Sequence, residues 1–554
     1  MTTKQTIRRS TAAAGAFAAF LALAMNPSAA TQKFYHDDPL LQERDTEDAS
    51  TMKPLEVDLF VDLTYNFIKA RRNPGEVRAK NINTVDEVPD SSWFTNRIGR
   101  QTLTPAGIAN GPNTGSGPAP GTWTITSSKS DGVTPGFTVK DANGQLWFLK
   151  FDPPGFRAMA TGTEVAVTKL MWALGYNVPE NHIAYMRREQ LVVGSGAKFT
   201  RLSGKKRPME LGDVDALLEH AEREPDGSYR VVASKALPGR PIGRIRFQST
   251  RPDDPNDIVP HEDRRELRAY GVVAAWLNHV DAKAINSLDT LITENGRAFV
   301  RHQLIDFGSA LGSGGVSAAD PWEGTQYLLE PKAMGKQMIG FGLSFPRWHT
   351  ATFHESPTVG RLLDDNTSFD PDLWKPRVPN QAFLQARADD KFWAARRIMA
   401  FSSAMLRAAV EAGDFGDPEA EAFLVRALAE RRDAIGRAYL TAVNPIADPA
   451  LDAYNVLTFH NAAVEADVAR APEGYRARWF AFDNLTQKST WIGESVGPTT
   501  ELEAPRRLPC EPGTFVKVEI SALGGSHTSW ATPVTAYFRN VDEGWRLVGF
   551  ERLP

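Results

Sequence analysis

The ten residues Leu277–Asn286, "LNHVDAKAIN", decide how the rest of the chain is read. They close a long apolar-periodic stretch and crowd His279, Asp281, Lys283 and Asn286 together. A helix end running into a polar loop is the plain account of such crowding. The sharper one is a loop on which a carboxylate, an amine and an amide converge on one ligand. In a chain of 554 residues, H-x-D-x-K-x-x-N arises from random composition with a probability on the order of 0.1%. Further on, after "DTLITENGRAFVRHQLI", which reads as a hairpin, stands Asp306-Phe307-Gly308. An acid at the end of a buried strand can reach a metal while the glycine lets the chain turn. Asp-Phe-Gly is common alone, but both patterns in this order are hard to ascribe to chance.

Upstream, "GFTVK" and "QLWFLKF" flank "DANG", and Asn143-Gly144 is a tight-turn signal, so the spacing predicts a β-hairpin. Lys150 ends its second strand, and alternation points it away from Leu149 and Phe151. A solvent-facing strand lysine is the commonest reading of such a residue. In "TGTEVAVTKLMWALGYNVPE", Ala166, Leu170 and Ala173 recur at helical spacing, with Thr163 as cap and Gly175 as stop. Glu164 then begins the helix, where a carboxylate suits the dipole and an ordinary first-turn glutamate is the bland alternative.

Around this centre, residues 31–122 form an Asp/Asn/Pro/Gly-rich extension expected to pack on the core downstream of it. Within it, "TPAGIANGPNTGSGPAPG" (Thr104–Gly121) reads as a loop and "NINTVDEVPDSSWFTNR" as a turn-rich structural segment. Residues 123–237 are strand-rich with one helix, and a hinge is expected near Ser234–Leu237. Residues 238–448 are mostly helical, and 449–554 carry short alternating strands that predict an all-β sandwich.

Composition excludes little: 42% hydrophobic, 23% charged and a formal charge of -4 give no reason to expect nucleic-acid binding. The N-terminus is more informative. Lys4, Arg8 and Arg9 precede an apolar run of signal-peptide length, and "NPSAA" offers a cleavage site after Ala30. The expectation is export to the periplasm or the medium of a bacterium, with no membrane span after cleavage. A single cysteine, Cys510, permits no intrachain disulfide. H-E-x-x-H does not occur, so zinc-protease chemistry lacks support.

The segment His279–Asn286 with Asp306-Phe307-Gly308 resembles the protein-kinase-like superfamily. "TEVAVTKLMWALGYNVPE" and "NHVDAKAINS" are similar to the corresponding elements of HipA-like kinases. The resemblance implies an α+β, bilobal protein-kinase-like fold with a small β-rich N-lobe and a helical C-lobe. It also implies Asp281 as catalytic base, Lys283 on the γ-phosphate, and Asn286 and Asp306 on Mg²⁺ or Mn²⁺. Lys150 would take the phosphates of ATP, or of another nucleotide, and Glu164 would pair with it. His279 is given no chemistry. The chain departs from the pattern at Val280, where regulated kinases carry arginine. After Asp306 it has "GSALGSGGVSAADPWEG" where the pattern leads to A-P-E, and before Lys150 it has no G-x-G-x-x-G loop. "SSKSDGVTPGF", with Gly132 and Gly136, stands in for the latter. The expected partners are a nucleotide and an unidentified protein or small-molecule acceptor. A catalytically inactive, pseudokinase-type binding protein is the alternative, because ATP is scarce outside the cell. A hydrolase using Asp281 and Asp306 is a remoter one, since it leaves Lys150 and Asn286 without a task.

Overall fold

The computed structural model describes residues 32–69, 76–129, 134–201, 204–330, 347–509 and 511–553. The expected signal segment, Gly132 and Cys510 lie outside the described residues. The chain is a mixed α/β protein, with ten α-helices and five sheets among the described residues. No helix among them is long and apolar enough to cross a membrane.

A seven-stranded sheet comes first. Its strands are β1 (Trp123–Ser128), β2 (Gly136–Lys140), β3 (Leu146–Phe151), β4 (Asn181–Met186), β5 (Leu191–Thr200), β6 (Lys206–Pro208) and β7 (Tyr229–Lys235). They lie in the order β4-β7-β3-β2-β1-β5-β6. β2 and β3 form a hairpin whose last pair is Lys140 with Leu146, so the connection is longer than the two-residue turn Asn143-Gly144 suggests. Asp141 builds that loop by accepting from the N–H groups of Asn143 (2.9 Å) and Gln145 (3.0 Å). Along β3, Trp147, Leu149 and Phe151 are buried and pack with Phe137, Val231 and, from helix Leu211–Leu218, Val214 and Leu218. Alternation therefore turns Lys150 to the other face.

Behind that face runs the helix Met159–Leu174. It starts ahead of the expected Thr163 because Asp152, placed just past β3, caps it. The Asp152 carboxylate accepts from the N–H groups of Ala158 (3.0 Å), Ala160 (3.0 Å) and Thr161 (2.9 Å). Glu164 is thereby carried into the second turn and is 1% exposed, instead of standing at the helix end. Gly175 does end the helix, at φ +121, where an added Cβ would strike the Phe94 ring.

The run Thr104–Gly121 is not all loop. Pro105–Asn110 is a short helix, capped by the Thr104 side chain on Gly107 N–H (3.0 Å) and docked on the helices Met159–Leu174 and Ser403–Glu411. Lys169, 1% exposed, donates to Asn110 O at 2.9 Å and pins it there. Phe94 and Ile108 are fully buried in the largest core. Phe34 instead packs near the other end of the chain, against Phe482, Tyr537 and Val548.

After β7 the chain enters a three-stranded sheet of β8 (Arg240–Gly243), β9 (Ser287–Glu294) and β10 (Arg297–Leu304). β9 and β10 are joined by Asn295-Gly296, with φ of +52 and +78 as a primed hairpin turn requires. The helix Arg265–Leu277 precedes them and stops at Asn278 in left-handed backbone (φ +48). Its charged start is buried. Arg265, 0% exposed, is paired with Asp86 (3.0 Å), Asp389 (3.1 Å) and Asp390 (2.9 Å). The helices Ala388–Met399, Ser403–Glu411 and Pro418–Tyr439 close the core around Trp276 and Leu277. A small hairpin, β11 (Phe353–Ser356) with β12 (Gly360–Leu363), lies between.

Strand pairing resumes at Ile446, slightly ahead of the boundary expected at 449. β13 (Ile446–Leu451), β14 (Val456–Asn461) and β17 (Glu501–Glu503) make one antiparallel sheet. β15 (Gly474–Phe482), β16 (Ser489–Gly497), β18 (Phe515–Leu523), β19 (Val534–Val541) and β20 (Gly544–Glu551) make another. Ile446, Leu457, Trp479 and Val518 belong to the same buried cluster as Trp276, so these sheets share a core with the helices.

Candidate active site

Lys150 reaches across two elements. Its Nζ lies 3.0 Å from Glu164 Oε2 and 2.8 Å from Asp306 Oδ1. Asp306 comes just after β10 in left-handed backbone (φ +64), which turns the chain so that the next two N–H groups face the helix. Phe307 N donates to Glu164 Oε1 and Gly308 N to Oε2, each at 3.0 Å. A Cβ on Gly308 would sit 3.3 Å from Glu164 Oε2, so glycine permits this approach. The buried Glu164 carboxylate is thus compensated by one ammonium and two amides. Asn181, from β4, adds a weaker donor at 3.4 Å.

The Asp306 carboxyl is held down at about 2 by the Lys150 ammonium beside it, against the opposite pull of burial. Burial pulls the Lys150 amine down, but Asp306 and then Glu164 outweigh it and leave the amine raised. Both groups are therefore charged across the neutral range. The Asp306 side chain remains 43% exposed, so it can be reached by a ligand.

This cluster forms one wall of a pocket open to solvent. Asp281 and Arg377 stand on another wall, and Lys129 and Thr134 line it from the β1–β2 connection. Asn286 sits in a 3-10 turn, Ala284–Asn286, and donates from Nδ2 to Asp281 O (2.8 Å) and Oδ2 (2.9 Å). Lys283 Nζ lies 2.7 Å from Asp281 Oδ1. Ile305 N donates to Asn286 O at 3.0 Å, tying this loop to the residue before Asp306. The structure therefore brings Lys150, Glu164, Asp281 and Asp306 onto one pocket, while Lys283 and Asn286 contact it through Asp281. His279, 1% exposed, packs between the Tyr270 and Phe307 rings, and burial lowers it to about 4, so it stays neutral.

Sequence reasoning missed three of these residues. Asp152 sets where the Glu164 helix begins, Asn181 backs Glu164, and Arg377 arrives from far downstream at Asp281. No local pattern marks them. Lys129 falls inside the weak glycine-loop candidate, whose Gly136 pairs with Lys150 in the sheet, and it bonds Thr134 Oγ1 at 2.5 Å.

No model of a known protein family matches the chain, and no curated protein matches it. Among solved structures it is similar to a Helicobacter pylori proinflammatory kinase, CtkA, at 13% identity and a TM-score of 0.27. That likeness covers 55% of this chain and 92% of CtkA. It is also similar to the Golgi casein kinase, alone and with Mn/ADP bound. Here the identity is 13% and the TM-score 0.30, over 72% of this chain and 94% of that one. Likeness at this level leaves the site to be read from its own atoms.

Proposed function

We propose that the chain is an atypical, HipA-like kinase-type phosphotransferase, moving a phosphoryl or nucleotidyl group from a nucleotide to an acceptor. One observation carries this reading: a half-buried lysine bridges a helix carboxylate and an exposed strand-end carboxylate, with Asp281 on the same pocket. A hydrolase reading leaves that lysine without work.

The donor set fits a hard divalent cation with a nucleotide. Lys150 engages Oδ1 of Asp306, leaving Oδ2 to offer. Asn286 spends its amide hydrogens on Asp281 and has Oδ1 to offer. Oxygen donors of this kind suit Mg²⁺ or Mn²⁺. Among the described residues no three His, Cys, Asp or Glu side chains are grouped to hold a metal, so phosphate and water oxygens would complete the coordination. When bound, the cation would neutralise charge on the transferred group. Lys150 and Lys129 would hold the phosphates, Asp281 would orient or deprotonate the acceptor hydroxyl, and Lys283 would steady the transferred group.

On this reading residues 123–237 and 238–448 are the two lobes of a bilobal protein-kinase-like domain. Residues 31–122 are an extension packed on it, and 449–554 are a C-terminal β-sandwich. Residues 1–30 are a signal peptide that sends the protein to the periplasm or the medium, where it would act. The test is transfer from γ-labelled and α-labelled ATP by the purified chain with Mg²⁺ or Mn²⁺. Asp306→Ala and Asp281→Ala should each abolish labelling, a loss of at least about a thousandfold, without unfolding the protein. Unchanged labelling in both variants would strip these residues of the proposed roles. A wild type that binds nucleotide without turnover would favour the pseudokinase-type alternative.

A further inference from the structure

Position 280, directly before Asp281, is a valine packed into the core at 1% exposure. A guanidinium nevertheless stands beside Asp281. It comes from Arg377, whose Nη1 lies 3.7 Å from Asp281 Oδ1 and which lines the same pocket. Its other nitrogens are committed elsewhere. Nε donates to Glu323 Oε1 at 2.7 Å, and Nη2 lies 2.5 Å from the same oxygen. One carboxylate oxygen thus holds the Nε and Nη2 side of the planar fork and leaves Nη1 turned toward Asp281.

The backbone around Arg377 is held as firmly. Arg377 N donates to Val280 O (2.8 Å), and Arg377 O accepts from Leu328 N (2.8 Å). Lys375 N donates to Gly324 O (3.0 Å), and Trp374 Nε1 to Asn278 Oδ1 (2.9 Å). Pro376 and Pro379 flank the arginine and restrict its neighbours to extended backbone. Gly324 leaves room for this crossing, since an added Cβ would lie 2.6 Å from Asn278 Oδ1. The segment 374–377 is therefore a strap stitched on one side to the Asp281 loop and on the other to the chain after Asp306.

We infer that Arg377 is a positioning residue for Asp281, and that Glu323 is its built-in partner, holding the chain after Asp306 to the Asp281 loop by an internal carboxylate. The inference rests on the proposed transfer reaction and deepens it. An arginine held this way needs no added charge from a modification to be in place, so the site is assembled as synthesised. At 3.7 Å the guanidinium acts on Asp281 through its field and through the loop it braces, not by touching the acceptor.

The test is a cycle of Arg377→Met, Glu323→Gln and the double variant in the full chain, read as kcat and KM for label transfer and as nucleotide-induced thermal shift. Arg377→Met should lower kcat by about tenfold to a hundredfold while the KM for nucleotide stays within about twofold. Glu323→Gln should cost less, and the double variant should be no worse than Arg377→Met alone, because Glu323 works through Arg377. Arg377→Lys should recover part of kcat, and added ethylguanidinium should rescue Arg377→Ala. These rescues would not occur if the arginine were only a structural tie. Losses that multiply in the double variant, or an Arg377→Met enzyme with kcat within about twofold of wild type, overturn the inference. If labelling falls with Asp281→Ala but ignores Arg377→Met, the transfer reading survives and only this inference is lost. A wild type without cation-dependent transfer overturns both.

Discussion

The two walls of the pocket are built on opposite principles. The Lys150–Glu164–Asp306 wall joins residues far apart in sequence through elements buried on their other sides, and Glu164 itself is 1% exposed. The Asp281 wall is mostly a loop whose contacts are short range, Asp281 with Lys283 and Asn286. The first wall is a rigid electrostatic frame that only the completed fold can assemble. The second carries Asp281 on a short loop, with Arg377 as its long-range tether. Exposure does not separate the walls, since the Asp281 side chain is 16% exposed and that of Asp306 43%; the sequence span of their contacts does.

Lys150→Met should have the largest effect on that frame. It leaves two carboxylates facing each other without their shared cation. Label transfer should fall about a thousandfold, some 4 kcal/mol in the barrier, and the nucleotide-induced thermal shift should vanish. Transfer retained within about tenfold would mean that the first wall is scaffold and not frame.

Glu164→Gln comes next. The amide keeps the shape and one acceptor, but it presents N–H where Gly308 N or Phe307 N now donates. Transfer should drop about tenfold to a hundredfold, and thermal unfolding should show a loss of about 1–3 kcal/mol. A variant as stable as wild type would separate the helix from the Asp306 turn.

The contrast between the walls also explains what is legible in the sequence. Asp281, Lys283 and Asn286 lie within one turn of chain, so their spacing is a motif. Lys150 is legible through strand alternation and Asp306 through the Phe-Gly pair beside it. Glu164 is legible too, but its setting is not. Its helix starts at Met159 because of Asp152, a contact between a strand end and a helix start that no periodicity reveals. Arg377 is invisible, because nothing in "WKPRVPN" records that Val280 O accepts from its backbone. The helix Pro105–Asn110 is lost among glycines and prolines, since docking against buried neighbours, and not propensity, maintains it.

His279 offers a smaller test, on stability. Its folded value is about 4, below the ordinary 6.5, because burial disfavours the charged ring. Between these values the unfolded chain binds a proton that the folded one refuses. Stability must therefore fall as pH drops through 6.5 and stop falling below about 4. Acidification from pH 7 to pH 5 should cost about 2 kcal/mol from this group, and His279→Phe should remove that part of the slope in denaturant titrations. An unchanged slope would place the proton elsewhere.

Lys169 should give the smallest effect, and it asks whether the N-terminal extension belongs to the rigid wall. It lies on the Glu164 helix, and its amine donates to Asn110 O, at the end of the docked extension helix. Burial lowers this amine to about 8, with Glu180 pulling the other way. Here too the unfolded state, near the ordinary 10.5, binds a proton that the folded state releases, so stability rises with pH between about 8 and 10.5. Below 8 both states hold the proton and the penalty of the buried charge is constant; between 8 and 10.5 the folded state alone is neutral and gains. The gain from pH 7 to pH 9 should be about 1 kcal/mol, and Lys169→Met should abolish it. If the extension braces Glu164, the same variant should also lower kcat by about twofold to fivefold while leaving the KM for nucleotide unchanged. A change in stability with no change in kcat would make residues 32–122 a cover on the pocket's rigid wall and not a part of it.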